Sequence, residues 1–242
     1  MMVALESEFD DWISFSHEHK LYRNDVLIRP AVPDDISAMV HVNAKSIESH
    51  GSEGLFMPMS ASFFSDVIYE NMSIVLQERN EVVGYSIAVP VGMRHKAFTP
   101  SLNSDRLGLF FGTALLPRLT RQGWQSWLIK LRLASFKAAG FTEIQCTVSP
   151  FNKSSLINLV DNGFQIVALK LLLDNFPRFV GRYCFGHQMS GMRSVSFSDD
   201  ALIPITDNLS DHEKYLSREY IGVEIQRGDP LVVRYIKSGK KD

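Results

Sequence analysis

Between Leu107 and Phe164 the order of residue types leaves few folds open. Leu107–Leu116 is an almost unbroken apolar run, as expected of a central strand covered on both faces. Pro117 stops it, and Thr120-Arg121-Gln122-Gly123-Trp124-Gln125 turns the chain into a helix over Gly123–Ala139. Trp124, Trp127, Leu128, Leu131 and Ala134 form one stripe of that helix. Ile129, Leu133 and Phe136 form a second flank, so the helix is covered on more than one side. Gly140 ends it in the usual position after the last turn. A strand over Thr142–Ser149 follows, then Asn152-Lys153-Ser154-Ser155 opens a helix over Lys153–Asn162, and Gly163-Phe164 closes it. Strands alternating with helices require a sheet with helices packed on it. A turn rich in backbone N–H groups at a helix start is also a ready anion site.

The rest of the chain extends that pattern. Residues 1–25 read as a polar and aromatic leader with one helix around Glu8–Phe15. Val26–Val32 is a strand, and Pro33-Asp34-Asp35 starts a helix that Ile36, Met39, Val40 and Val42 carry to about His50. Ala61–Tyr69 is a short helix, and Ser73–Glu78 and Val82–Pro90 are strands. Met93–Asp105 is a loop without periodicity. Gln165–Leu173 and Tyr183–Met189 read as strands, as do the shorter Ser194–Ser198 and Leu202–Ile205. Ser210–Glu219 reads as a helix, and Tyr220–Ile225 and Leu231–Ile236 form a hairpin around Gln226–Pro230. That tail is too small to hold a core alone and packs on the main domain or on a second copy of the chain.

The bulk numbers exclude several classes. With 25 Lys and Arg against 27 Asp and Glu, the net charge of −2 gives no support for a nucleic-acid binder. No apolar run reaches the length that crosses a bilayer, and the acidic N-terminus lacks the pattern of a secretory signal, so the expected location is cytoplasmic. Cys146 and Cys184 are expected to be reduced core residues. His17 and His19 beside Glu18 have no third ligand at useful spacing, so no metal is expected.

The element order and two motifs resemble the GNAT superfamily of N-acyltransferases over roughly residues 26–190. In that family an R/Q-x-x-G-x-G/A motif follows a strand ending near a Pro, and its N–H groups bind the diphosphate of acyl-CoA. Pro117 and Gly123 match, whereas Thr120 replaces Arg or Gln and Gln125 replaces the final Gly or Ala. The next helix often carries N-x-x-A/S-x-x-x-Y-x-x-x-G-F, which Asn152, Ser155, Gly163 and Phe164 fit. The resemblance implies an α/β GNAT fold: a mixed, mostly antiparallel sheet with helices on both faces, plus a C-terminal β-rich appendage. It divides the chain into a leader (1–25), an acyltransferase domain (26–190) and an appendage (191–242). It implies acetyl-CoA as cosubstrate, held by Leu115, Leu116, Thr120, Arg121, Gln122, Gly123, Trp124, Gln125, Ser126 and Asn152. Arg118 and Arg121 would add positive charge.

The implied reaction moves an acetyl group from acetyl-CoA to a primary amine of a metabolite, an amino sugar or a protein, with no nucleic acid, membrane or metal involved and a homodimer possible. Around Phe110, Phe111 and Trp124 the surface would also admit a longer acyl chain. The catalytic residues stay unassigned. The position of the family's Tyr acid is Leu159, and Leu107–Leu116 holds no Glu for the base. Asn152 and Ser155 are the nearest polar candidates at the thioester end, and equally read as a helix cap and a first-turn residue. His50, Glu53, His95, Asp105 and His187 lie in the segments expected to form the acceptor side. The departures at Thr120, Gln125 and Leu159 keep a second reading open, a non-enzymatic module binding acyl-CoA or a protein.

Overall fold

A computed structural model describes residues 20–50, 55, 57–68, 73–91, 97–100, 106–172, 175–186 and 200–238. The helix read around Glu8–Phe15, the His17–His19 cluster and the strand read at Ser194–Ser198 lie outside the described residues. The chain forms two compact units, Met1–Lys96 with Asp105–Phe141, and Ala97–Ser104 with Thr142–Asp242.

The first unit is an antiparallel sheet in the order β1 (Leu21–Arg23), β2 (Val26–Pro30), β3 (Ile74–Glu78), β4 (Glu81–Pro90) and β5 (Leu107–Leu115). Strand β1 falls in the segment read from sequence as a leader. Asn24 and Asp25, at φ 50° and 62°, make the two-residue turn that pairs it with β2. The Arg29-Pro30…Asp34-Asp35 opening is fixed by charge. Arg29 donates to both carboxylate oxygens of buried Asp35 at 2.7 and 2.8 Å, and Asp35 also accepts from the Val32 N–H at 2.9 Å. The chain then runs through a 3-10 turn into α1 (Ile36–His50); α2 is Ala61–Ile68 and α3 is Trp124–Ala138. One face of α3 buries Trp124, Leu128 and Leu131 with Val26, Ile28, Ile74, Leu76 and Val83 of β2–β4. Ile129, Leu133 and Phe136 are buried as well, so α3 is covered on more than one side.

The second unit contains β6 (Glu143–Val148), α4 (Lys153–Asp161), β7 (Gln165–Leu172), β8 (Phe176–Cys184), β9 (Ala201–Pro204), α5 (Ser210–Leu216), β10 (Tyr220–Gln226) and β11 (Val232–Lys237). Its strands follow the order β6-β8-β7-β10-β11-β9, each pair antiparallel. The strand read at Tyr183–Met189 is shifted: β8 starts at Phe176, and only Tyr183 and Cys184 of that reading lie in it. Pro177 and Arg178 conceal its start. Residues 176–178 pair with β7 alone, because β6 reaches only from Phe179 onward, so Pro177 falls where a missing donor is tolerated. Cys146 is buried and Cys184 half-buried, both as free thiols.

The tail forms the hairpin expected of it and docks on β7 of its own chain. Gly222 faces Ile166, and a Cβ there would lie 2.9 Å from Val233 Cγ1 and 3.0 Å from Ile166 Cβ. Only a hydrogen fits between those side chains. On α5, His212 is fully buried. Its Nε2 lies 3.2 Å from the Pro204 carbonyl, which can only accept, so Nε2 carries the proton and Nδ1 accepts from the Tyr235 hydroxyl at 2.9 Å.

Candidate functional site

Strand β5 of the first unit is broken just ahead of the turn expected to bind a diphosphate. Ile87 pairs with Gly112 but Ala88 with Phe110, so Phe111 is an extra residue, a β-bulge, in a run that reads from sequence as a plain strand. Arg132 of α3 braces the bulge from inside. Its guanidinium donates to the Ile87 carbonyl at 2.8 Å and to Thr113 Oγ1 at 3.3 Å, and lies 3.9 Å over the Phe110 ring. Thr113 is also bonded to Ser86 at 2.6 Å. Sequence periodicity gave no sign of Arg132, because a buried cation among apolar residues looks like an exposed position on a helical wheel.

Past the bulge, the chain builds the turn expected to bind a diphosphate. Leu115 packs beside the core, and its side chain explains Gly84, whose Cβ would sit 2.6 Å from Leu115 Cδ2. The Leu116 N–H bonds to Val83 O at 2.9 Å. Pro117–Leu119 is a 3-10 turn closed by Thr120, whose N–H and hydroxyl both donate to Pro117 O, at 3.1 and 2.7 Å. Gln122 donates its amide to Arg118 O at 2.7 Å. Arg121 and Gly123 then sit at φ 61° and 75°, in the left-handed region. Glycine adopts it freely, and an arginine there carries strain of about 1–3 kcal/mol. Gly123 is the N-cap of α3, so the helix starts without a side-chain cap. Trp124 is buried in the core, while Gln125 and Ser126 are half-buried on the first turn. The ten predicted contact residues thus fall into nine around this turn and one, Asn152, in the second unit.

Two charges differ from expectation. Arg118 is engaged by Glu78 at 2.9 Å and Glu81 at 3.8 Å. Arg23, from the unanticipated strand β1, reaches the turn instead. Its guanidinium lies 4.7 Å over Trp124 and 5.3 Å over Trp127, with Nη2 3.5 Å from Gln122 O. The Asn24-Asp25 pair between two apolar runs is the sequence signal for that hairpin.

The second unit repeats the strand-turn-helix layout with a different finish. Asn152, buried, caps α4: its Oδ1 accepts from the Ser155 N–H at 3.1 Å and from the Ser154 hydroxyl at 3.3 Å. Leu159 is buried in α4. In the same unit, Ala97–Pro100 is held as a strap. Gln145 bonds to both the N–H and the carbonyl of Thr99 at 3.0 Å, and Arg182 donates to Thr99 Oγ1 and Pro100 O at 3.0 and 2.7 Å. Buried Glu143 pairs with Arg182 at 3.2 Å and accepts from Gln145 at 2.7 Å, and Lys170 donates to the Phe98 carbonyl. This is the described part of the loop read at Met93–Asp105. Glu53, His95, Asp105, His187 and the side chain of His50 lie outside the described residues. Among the described residues no group of three or more His, Cys, Asp or Glu side chains is placed to hold a metal ion, and no helix is long and apolar enough to cross a membrane.

Asn43 of α1 donates to Met57 O, on the segment between α1 and α2, at 3.2 Å and to the Tyr85 hydroxyl at 2.8 Å, and accepts from the Met59 N–H at 2.9 Å. Burial raises the Tyr85 hydroxyl far above its ordinary range, so Tyr85 stays neutral and serves as an anchor.

No protein-family model and no curated protein matches the sequence. Solved structures do match the fold. The chain is similar to Ard1 from Thermoplasma volcanium, with a TM-score of 0.53 and 16% identity over 66% of this chain and 97% of that one. It is similar to a chain of the NatC complex bound to Gag peptide and CoA, with a TM-score of 0.52 and 14% identity over 66% and 99%. It is also similar to yncA, a putative acetyltransferase from Salmonella typhimurium with its cofactor acetyl-CoA, with a TM-score of 0.51 and 12% identity over 68% and 96%. The chain has the α/β fold of the GNAT acetyltransferases, with further C-terminal strands.

Proposed function

We propose that the protein is an N-acyltransferase that moves an acetyl group from acetyl-CoA to a primary amine. The observation that carries this reading is the turn ahead of α3. Two left-handed residues, Arg121 and Gly123, direct the chain into a helix that begins without a side-chain cap. A helix N-terminus carries roughly half a positive charge and backbone donors, which a diphosphate satisfies. Backbone strain held at one turn is what a binding site retains and a plain connection loses. The changes at Thr120 and Gln125 leave these backbone groups in place. The fold's neighbours include proteins solved with CoA and with acetyl-CoA, which supports the same cosubstrate here.

We further propose the contact set named from sequence, Leu115, Leu116 and Thr120 to Ser126 on the turn with Asn152 as an additional polar contact, within an acyltransferase domain spanning about 26–190. The acyl transfer is a direct attack of a neutral amine on the thioester carbonyl. Proximity of the two reactants supplies several kcal/mol of the barrier reduction. The buried Leu159 cannot donate a proton to the leaving thiolate, so water or a residue on the acceptor side does so. Leu159 also supports a second reading, in which the domain binds acyl-CoA without turning it over.

Free-thiol release from acetyl-CoA, followed with a panel of primary amines, separates the two readings. Turnover above the uncatalysed rate with any amine establishes the transferase; acetyl-CoA binding without turnover across the panel favours the binding module. Thermal unfolding tests the shared premise, since a bound ligand raises the midpoint by mass action. No shift at hundreds of micromolar acetyl-CoA would refute both.

A further inference from the structure

We propose that Met59 is the stop that limits the length of the acyl group, a specificity-determining residue at the bulge of β5; this rests on the acyl-CoA reading of the turn given above. The bulge turns two consecutive residues toward α2 and the segment before it. The Phe111 ring meets the Phe63 ring edge to face at 5.7 Å, and a Cβ on Gly112 would lie 3.3 Å from Met59 Cε. Apart from the residues flanking Gly112, no other heavy atom of the described residues comes within 4 Å of that point. The space over Gly112 is thus closed by one methyl group. Met59, Phe63, Phe111 and Gly112 are all half-buried, which keeps the spot within reach of a ligand.

Methionine is unbranched and adapts to its surroundings, yet this one is tied at both ends. Its N–H donates to Asn43 Oδ1 at 2.9 Å, and its sulfur accepts from the Tyr85 hydroxyl at 3.7 Å. Asn43 and Tyr85 are buried and bonded to each other at 2.8 Å, so the two anchors belong to one network. A buried, satisfied network rigidifies what it holds, and the Met59 methyl cannot swing aside without breaking it. Its place fits the donor. From a diphosphate at the turn, the arm of CoA that ends in the thioester is a single extended chain. Gly112 stands four residues before Leu116, about 14 Å along β5, a span of the order of that arm. A thioester laid along β5 then reaches the bulge with its acyl group over Gly112, where an acetyl methyl fits and a longer chain meets Met59.

Isothermal titration of acetyl-CoA and of butyryl-CoA into the full chain tests this, with the ratio of the two affinities as the readout. The wild type is expected to bind butyryl-CoA about tenfold more weakly, the usual penalty of extra methylenes in a filled space. Met59→Ala removes the stop and is expected to bring butyryl-CoA to within about twofold of acetyl-CoA. Met59→Leu keeps the apolar bulk and loses the terminal methyl, so its ratio should fall between the two. A merely structural role for Met59 would weaken both ligands together and leave the ratio where it was. An unchanged ratio in Met59→Ala therefore overturns the proposal, as does a wild type that binds the two ligands within about twofold of each other. If Met59→Ala does not fold, Met59→Leu carries the same comparison. Failure of the wild type to bind either ligand refutes the function proposed above; wild-type binding without a Met59-dependent ratio refutes only this assignment.

Discussion

The turns ahead of α3 and α4 share one layout, strand, short turn and helix, yet they finish their helices in opposite ways. At α4 the chain caps itself: Asn152 accepts from the Ser155 N–H, and Asp229 from the tail sits 2.7 Å from Lys153 on the first turn. A polar cap and an acid are what a helix N-terminus favours. At α3 the N-cap is Gly123, which has no side chain to offer, and the charged group brought in is a cation, Arg23. The contrast is that α4 is closed by a side-chain cap from its own first residues, whereas α3 starts on a glycine that gives no side-chain cap.

Gly123→Asp is the strongest way to break that contrast. It puts a carboxylate where the diphosphate is proposed to sit, and the acetyl-CoA-induced rise in melting midpoint is expected to vanish. Gly123→Asn separates conformation from charge, since Asn tolerates the left-handed region; it is expected to keep part of the shift. An undiminished shift in Gly123→Asp would remove the diphosphate from this turn.

Gly222→Val tests whether the tail that finishes α4 matters to α3. With Val233 and Ile166 at 2.9 and 3.0 Å from the new Cβ, the substitution is expected to cost about 1–3 kcal/mol of stability in urea unfolding. The acetyl-CoA shift should persist in whatever fraction stays folded. The same tail gives a pH signature. Burial holds His212 below its ordinary value of 6.5. Between the folded and unfolded values the unfolded chain binds more protons, so stability rises with pH there. Stability from this group is complete above about pH 6.5 and declines as pH falls through the lower folded value. His212→Gln is expected to flatten that slope, and a slope unchanged by it would reassign the pH effect.

A smaller effect is expected for Asn152→Ala, about 1 kcal/mol, the usual loss of a cap. If Asn152 only caps, the acetyl-CoA shift is unchanged; a reduced shift would show that it also contacts the cofactor and would narrow the difference between the two turns. Asp229→Asn, at an exposed tip, should leave the midpoint where it is, because exposed ion pairs contribute little.

Much of this layout is legible in the residues. Helices α1, α3 and α4, strands β2 to β7 and the tail hairpin follow from apolar periodicity and from Pro, Gly and Asn at their ends, since those signals act within a few residues of where they stand. The turn around Gly123 and the cap at Asn152 are legible for the same reason. Strand β8 is displaced from its reading because Pro177 and Arg178 suit a strand only where one neighbour is missing, and pairing is set by distant chain. The bulge at Phe111 is hidden because an extra residue leaves the apolar run unchanged.

Local residue order set where the chain turns, which residues are apolar enough to be buried, and that a glycine would open α3. Tertiary structure alone decided which charge meets that opening. Arg118 and Arg121 are nearest along the chain, yet Arg118 is drawn to the carboxylates of the β3–β4 hairpin, and Arg23 arrives through the pairing of β1 with β2. Electrostatic partners are chosen by distance in space, and that distance is fixed only when the sheet forms.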